Sequence, residues 1–199
     1  MNFYIILIFL ITYLICSINP AIEICKRKTG EDIRNLGSGN AGSANAMRVL
    51  GRVFGTLVIV LDIIKVFLSY FITSKMTKMF GYTTDMTTFK NVFILASIIG
   101  HCFPVYYKFR GGKGVIVGMS IASILEPKIA IICIISALII MIFTRTIAKG
   151  TIAGTMLYAI IALVMGYDYI VAVAIAVAII LFKHRASIQR ILAKQEQKF

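Results

Sequence analysis

The sequence predicts an all-α, polytopic membrane protein with about seven transmembrane helices, folded as a single domain over residues 1–199. Three observations predict it. Hydrophobic residues make up 59% of the chain and charged residues only 15%, with a mean hydropathy of +0.91, whereas a soluble domain is roughly half apolar and a quarter charged. Long stretches carry no Lys or Arg. The 21 Lys and Arg crowd the loops that alternate spans would place on one side. The excess of apolar surface excludes a disordered chain, which could not leave it in water, and argues against an ordinary soluble enzyme.

The first apolar segment covers about residues 2–24. It lacks the basic leader region of a signal peptide and reads as a transmembrane helix. The second covers 53–75 and carries Lys65 and Asp62, which share a helix face and can pair. The third covers 89–107. A stretch from 114 to 144 is broken by Glu126-Pro127-Lys128 into segments of 114–125 and 128–144. The first of these is only a dozen residues long, so it is a short helix buried among others or a re-entrant piece. Gly166-Tyr167-Asp168 divides the remainder into 150–166 and 169–184.

Orientation follows from charge. Sixteen Lys and Arg fall on one side: Lys26 to Arg52, Lys108 to Lys113, Arg145, Lys149 and the five in 183–199. Lys75, Lys78, Lys90 and Lys128 fall on the other. The positive-inside rule puts the sixteen in the cytoplasm, with the N-terminus outside and the C-terminus inside. Much of the +13 net charge is thereby a matter of topology. No aromatic-basic motif points to nucleic acid, and membrane lipid is the expected surrounding. Cys16, Cys25, Cys102 and Cys133 form neither a CxxC pair nor a Cys/His cluster. They read as small packing residues, and neither metal nor cofactor is expected; the sequence leaves disulfide pairing open.

The cytoplasmic loops hold the polar chemistry. Leu36-Gly37-Ser38-Gly39-Asn40-Ala41-Gly42-Ser43-Ala44-Asn45 mixes glycine with short polar residues. Such a loop can turn its N–H groups inward around an anion. Ser38 or Asn40 could cap the Ala-rich helix that follows, which would add an N-terminus suited to phosphate. Ala41, Asn45 and Arg48 fall at helical spacing, so Arg48 could reach back over the same anion. Phe109-Arg110-Gly111-Gly112-Lys113-Gly114 brings a glycine-flanked lysine, although the spacing is not that of a Walker A loop. Arg145 with Thr151, and His184 with Ser187 on one face of a last helix, complete four clusters at one membrane face. Together they suggest one composite anion site. Neither a His-x4-Asp dyad nor a Gly-x-Ser-x-Gly elbow is present.

These motifs resemble those of the PlsY-type bacterial acyltransferases, which act on acyl-phosphate and glycerol-3-phosphate. Asp32 through Asn40, with Asn45 and Arg48, is similar to their first motif. Gly100-His101 through Pro104, then Phe109 through Gly114, is similar to their second. Lys183-His184-Arg185 through Arg190-Ile191-Leu192 is similar to their third, and Asp62 and Lys65 also match. The resemblance implies a seven-helix fold in the bacterial cell membrane with its active site on the cytoplasmic face. It implies acyl transfer from acyl-phosphate to the 1-hydroxyl of glycerol-3-phosphate, giving lysophosphatidic acid and phosphate.

On that reading His184, Lys113 and Arg48 are the catalytic groups. Ser38, Gly39, Asn40, Gly42, Asn45, Gly112, Arg145, Thr151 and Ser187 bind substrate. A substrate phosphate oxygen takes the hydroxyl proton, with His184 as the rival base. Ala44, Ala148 and Ser187 stand where the family usually has Thr, Ser and Asn. A divergent paralogue with another phosphorylated acceptor is therefore the alternative, followed by a small transporter.

Overall fold

A computed structural model describes residues 3–79 and 85–196, and every regular element among them is helical. The order is α1 (Phe3–Ser17), α2 (Pro20–Thr29), a 3₁₀ turn (Ile33–Asn35), α3 (Ser43–Leu50), α4 (Arg52–Met79), α5 (Met86–Cys102), a 3₁₀ turn (Val105–Tyr107), α6 (Val115–Leu125), α7 (Pro127–Thr144), α8 (Ile147–Val164), α9 (Ile170–Lys183) and α10 (Arg185–Leu192).

Each predicted apolar segment coincides with a helix, but two expectations need correction. The first segment is not one continuous helix. Pro20 has no N–H to extend α1, and the residue before a proline is pushed out of helical backbone. Asn19 accordingly adopts extended angles, and its side chain accepts the Ile22 N–H to start α2. The last span does not run straight into the C-terminal helix either. α9 and α10 meet at a 60° bend at His184.

Among the described residues, five helical stretches are long and apolar enough to cross a membrane: Phe3–Thr29, Arg52–Met79, Met86–Tyr107, Pro127–Thr144 and Ile147–Val164. Counting the bent α9–α10 pair makes six. α6 has eleven residues, about 16 Å at helical rise, against a hydrocarbon thickness of about 30 Å. It is packed against α4 and α7.

α7 and α8 approach closely through small residues. A Cβ on Gly150 would lie 2.3 Å from the Ala137 carbonyl, and one on Gly154 would lie 2.9 Å from the Ala137 Cβ. Small residues four apart are what lets backbones pack where lipid provides no hydrophobic drive. The large apolar side chains face outward instead. Ile131, Ile135, Leu138, Ile142 and Phe143 of α7 are all exposed, as a lipid-facing surface requires.

One buried charge cluster sits in this apolar frame. Lys65 on α4 lies 2.7 Å from the Asp62 carboxylate, as the sequence spacing predicts. It also donates to the Ile18 carbonyl at the α1–α2 break (2.7 Å) and to His101 Nδ1 on α5 (3.0 Å). All three side chains are buried. An ammonium has no acceptor, so Nδ1 is the bare ring nitrogen and Nε2 carries the proton.

Removing one partner of a buried pair leaves an uncompensated charge, which costs about 3–5 kcal/mol. Lys65→Met should therefore lower the melting temperature of the detergent-solubilised protein sharply. Lys65→Met combined with Asp62→Leu should recover most of the loss, and thermal unfolding of the two variants side by side checks both.

Candidate active site

The loops at one end of the bundle are built on that cluster. His101 lies directly beneath the 111–114 loop. A Cβ on Gly112 would stand 2.3 Å from His101 Nε2 and 2.9 Å from the Ala41 carbonyl, and one on Gly111 would stand 2.1 Å from the His101 carbonyl. Only glycine lets this loop pass between His101 and the 36–45 loop. Asn19, at the α1–α2 break, donates to the Ala41 carbonyl (3.1 Å) and fixes the other side.

Arg34 clamps the two loops together. Its Nη1 donates to the carbonyls of Tyr107 (2.8 Å) and Arg110 (3.0 Å). Its other nitrogens grip Asp32 (3.0 and 2.7 Å). That guanidinium holds the Asp32 carboxyl below its ordinary range, chiefly through the side-chain hydrogen bond.

The glycine-rich loop differs in detail from the sequence expectation. Asn45 is 1% exposed. Its Oδ1 accepts the Ser38 N–H (2.8 Å), and its amide donates to the carbonyls of Ile33 (3.2 Å) and Leu36 (2.9 Å). Asn45 thus shapes the loop from below and does not face the outside. The N–H groups of Ser38, Gly39 and Gly42 are likewise spent inside the loop.

Neither Ser38 nor Asn40 caps α3. The cap residue is Gly42, which supplies no side-chain bond, and no side chain among the described residues accepts from the first-turn N–H groups of α3. Ala41 lies outside the helix, so it shares no helix face with Arg48. Arg48 is exposed in the last turn and has no hydrogen bond or ion pair among the described residues.

Lys113 is drawn to the C-terminal helix. Its Nζ donates to Ser187 Oγ (2.7 Å), 74 residues on. Arg190 donates to the same oxygen (3.0 Å) and pairs with Glu196 (2.5 Å). Ser187 is fully buried. It therefore lies under the two cations, one helical turn after His184, which is itself buried (2% exposed). Burial pushes the Lys113 ammonium down to about 8, with the Glu196 charge opposing the shift and Arg190 adding to it.

His184 sits at the α9–α10 bend. Its Nδ1 donates to the Ile180 carbonyl (2.8 Å), which leaves Nε2 as an acceptor, 3.5 Å from Thr151 Oγ1. Lys183 donates to the Cys102 carbonyl (3.0 Å) and ties α9 to the end of α5. Arg145 ends α7 in a left-handed conformation, exposed and without a hydrogen bond or ion pair among the described residues.

Thr151 is shared with a half-open apolar groove between α5, α6, α7, α8 and α9. Ile98, Gly118, Tyr158, Ala176 and Ile180 are among its walls. The structure thus joins Lys113 to Ser187, His184 to Thr151, and the two glycine-rich loops to each other. Arg48 and Arg145 stand apart. Asn19, Arg34, His101 and Arg190 lay inside the quoted motifs or at a proline break but were not singled out as site residues. Glu196 gave no signal beyond being an acid in a basic tail.

A bundle of apolar helices that carries cations and a histidine at one end, beside an apolar groove, defines an integral membrane protein suited to amphiphilic, anionic ligands. The chain belongs to the glycerol-3-phosphate acyltransferase family, whose model matches residues 6–194. It is 35% identical over 189 residues to the glycerol-3-phosphate acyltransferase of Aquifex aeolicus, covering 94% of this chain and 95% of that one. It is 30% identical over 191 residues to that of Fusobacterium nucleatum, covering 95% of each.

Two solved structures of PlsY (YgiH), an integral membrane glycerol 3-phosphate acyltransferase, are similar to it. The glycerol 3-phosphate form superposes with a TM-score of 0.87 at 32% identity, and the lysophosphatidic acid form with 0.82 at 29%. Each covers 98% of this chain and 95% of the other.

Proposed function

We propose that this glycerol-3-phosphate acyltransferase takes its acyl group from acyl-phosphate and delivers it to the 1-hydroxyl of glycerol-3-phosphate. The observation that carries this reading is the junction at Thr151. There an apolar groove, suited to a fatty acyl chain, ends beside His184, whose neighbour across the loops is the Lys113–Ser187–Arg190 cluster. Both proposed substrates carry phosphate, and only one carries a chain. The relatives are named for the same acceptor, and one neighbour was solved in a lysophosphatidic acid form.

The hydroxyl oxygen attacks the acyl carbonyl carbon. A carbon–oxygen ester bond forms, and the bond from that carbon to the bridging phosphate oxygen breaks. The hydroxyl proton leaves with the released phosphate, whose oxygen accepts it. No covalent enzyme intermediate is needed, because the donor is already activated. The protein supplies position and charge. Lys113 and Arg190 neutralise phosphate, Arg48 adds a free guanidinium, and the bare Nε2 of His184 accepts a glycerol-3-phosphate hydroxyl. Ser38, Asn40 and the first turn of α3 line the phosphate side, while Asn45 and the glycines hold the loop shape.

An electrostatic donor of this kind is worth about 3–4 kcal/mol in the transition state. Lys113→Met should lower kcat/KM for lysophosphatidate formation by roughly 10²–10³ while the protein stays folded. Because burial brings the free Lys113 down to about 8, the cation is present below that pH and lost above it. Wild-type kcat/KM should fall above about pH 8. Lys113→Arg should keep whatever activity it has through that range, since a guanidinium remains charged. A flat wild-type profile, or a fully active Lys113→Met, would remove Lys113 from the site.

Gly118 tests the groove. A Cβ there meets Ile180 and Ile98 at ordinary contact distances (3.5 and 3.8 Å), so a side chain can enter the groove without breaking the backbone. Gly118→Leu should raise KM for long-chain donors more than for short-chain ones. An equal effect on all chain lengths would place the acyl group elsewhere.

We place the site on the cytoplasmic face of a bacterial cell membrane from the sixteen-to-four division of basic residues. Lys198 of that tally lies outside the described residues. The four native cysteines are buried, so Ser43→Cys offers a clean probe. An impermeant thiol reagent should label it only after the cells are opened, and labelling of intact cells would reverse the topology.

A further inference from the structure

We propose that Glu196 is a positioning residue for the site. Its carboxylate, gripped by Arg190, closes a chain through Ser187 that holds Lys113 in place as a cation. This rests on the reading of Lys113 as the phosphate-binding lysine.

The chain of contacts is continuous. Glu196 Oε2 lies 2.5 Å from Arg190 Nε. Arg190 Nη2 donates to Ser187 Oγ (3.0 Å), and Lys113 Nζ donates to the same oxygen (2.7 Å). Ser187 is fully buried, and the Glu196 side chain is only 13% exposed although it lies beyond the last helix.

Local backbone explains how a tail residue reaches the site. Just past the end of α10, Lys194 adopts the left-handed region at φ 57. The Lys194 N–H bonds to the Ile191 carbonyl (3.1 Å) and the Gln195 N–H to that of Arg190 (2.7 Å). That pair of bonds is a Schellman ending, which reverses the chain and satisfies the last carbonyls of the helix. A lysine holds a position that glycine usually fills, and it turns Glu196 back against its own helix.

The electrostatics give the arrangement its purpose. Two cations, Lys113 from the α5–α6 loop and Arg190 from α10, converge on one serine oxygen. The groups that act on Lys113 are Ser187 and Arg190 of α10, His184 at the bend and Glu196 in the tail. Glu196 is the one anion among them. Its carboxylate offsets the repulsion between the cations and opposes the burial that favours a neutral amine. A neutral Lys113 would be a weaker phosphate ligand, so the tail acts on substrate through the lysine without touching it.

The test reads Lys113 directly in the full-length, detergent-solubilised protein. Trace acylation by acetic anhydride, resolved by peptide mass spectrometry over neutral to alkaline pH, gives the midpoint at which Lys113 becomes reactive. In Glu196→Gln that midpoint should fall by about one unit, the size expected for losing a nearby opposite charge. In Glu196→Asp, which keeps the charge on a shorter arm, it should lie between the two. The alkaline limb of kcat/KM should move with it.

Glu196 follows every predicted span, so its removal leaves the bundle intact, and an unchanged melting temperature verifies this. Should Glu196→Gln not fold, the Glu196→Asp midpoint alone decides. A wild-type midpoint in either variant overturns the proposal. The labelling needs no substrate, so absence of lysophosphatidate synthesis in the wild type would sink the reaction without touching this result.

Discussion

The buried ammonium of Lys65 is the interaction on which the rest of the structure depends. A lone charge in an apolar bundle is intolerable, so it must be surrounded by acceptors. Its three partners come from three places: Asp62 one turn away, the Ile18 carbonyl exposed where Pro20 breaks the first span, and His101 at the end of α5. Satisfying one charge thereby fixes where α1 stops, how α4 faces α1 and α5, and which way the His101 ring points. An uninterrupted first helix would have kept the Ile18 carbonyl for itself.

The loops inherit that order. His101 is a rigid floor, and Gly111 and Gly112 are the residues that can cross it. Asn19, which starts α2, also carries the Ala41 carbonyl. The break in the first span, the floor and the glycine-rich loop are therefore one mechanical unit. Arg34 and Asp32 lock its outer edge. Preorganisation of this kind is what an electrostatic site needs, because donors that must first be arranged give back much of what they stabilise.

Helix existence was legible in the sequence wherever a run of apolar residues met a breaker, as at Glu126-Pro127 and Gly166-Tyr167. The pairing of Asp62 with Lys65 was legible too, since three residues on a helix define one face. The kink at Asn19-Pro20 was carried by the proline but was overridden by the even hydropathy on either side of it. The contacts of Asn45 and Ser187 were not legible for one reason. A polar residue in a glycine-rich or basic motif looks like a ligand, while its burial depends on contacts across dozens of residues. Asn45 spends its amide on Ile33, Leu36 and Ser38; Ser187 spends its oxygen on Lys113. Neither partnership has a local spacing that could announce it.

Few titratable side chains near the site is a consequence of this design. With an activated donor, the proposed transfer needs neither a strong base nor a nucleophile, and the absence of a His-Asp dyad ceases to be an obstacle. What such a reaction does need is to hold two anions together against their mutual repulsion, next to a chain that prefers lipid. On the proposed reading the protein meets the first requirement with cations delivered by elements far apart in sequence, Lys113 seated on Ser187 and Arg190 held by Glu196. It meets the second by ending the apolar groove at Thr151, where α8 faces His184. A shared residue at that junction sets the distance between the chain and the charge, and that distance is the one the carbonyl of a bound acyl-phosphate would have to span.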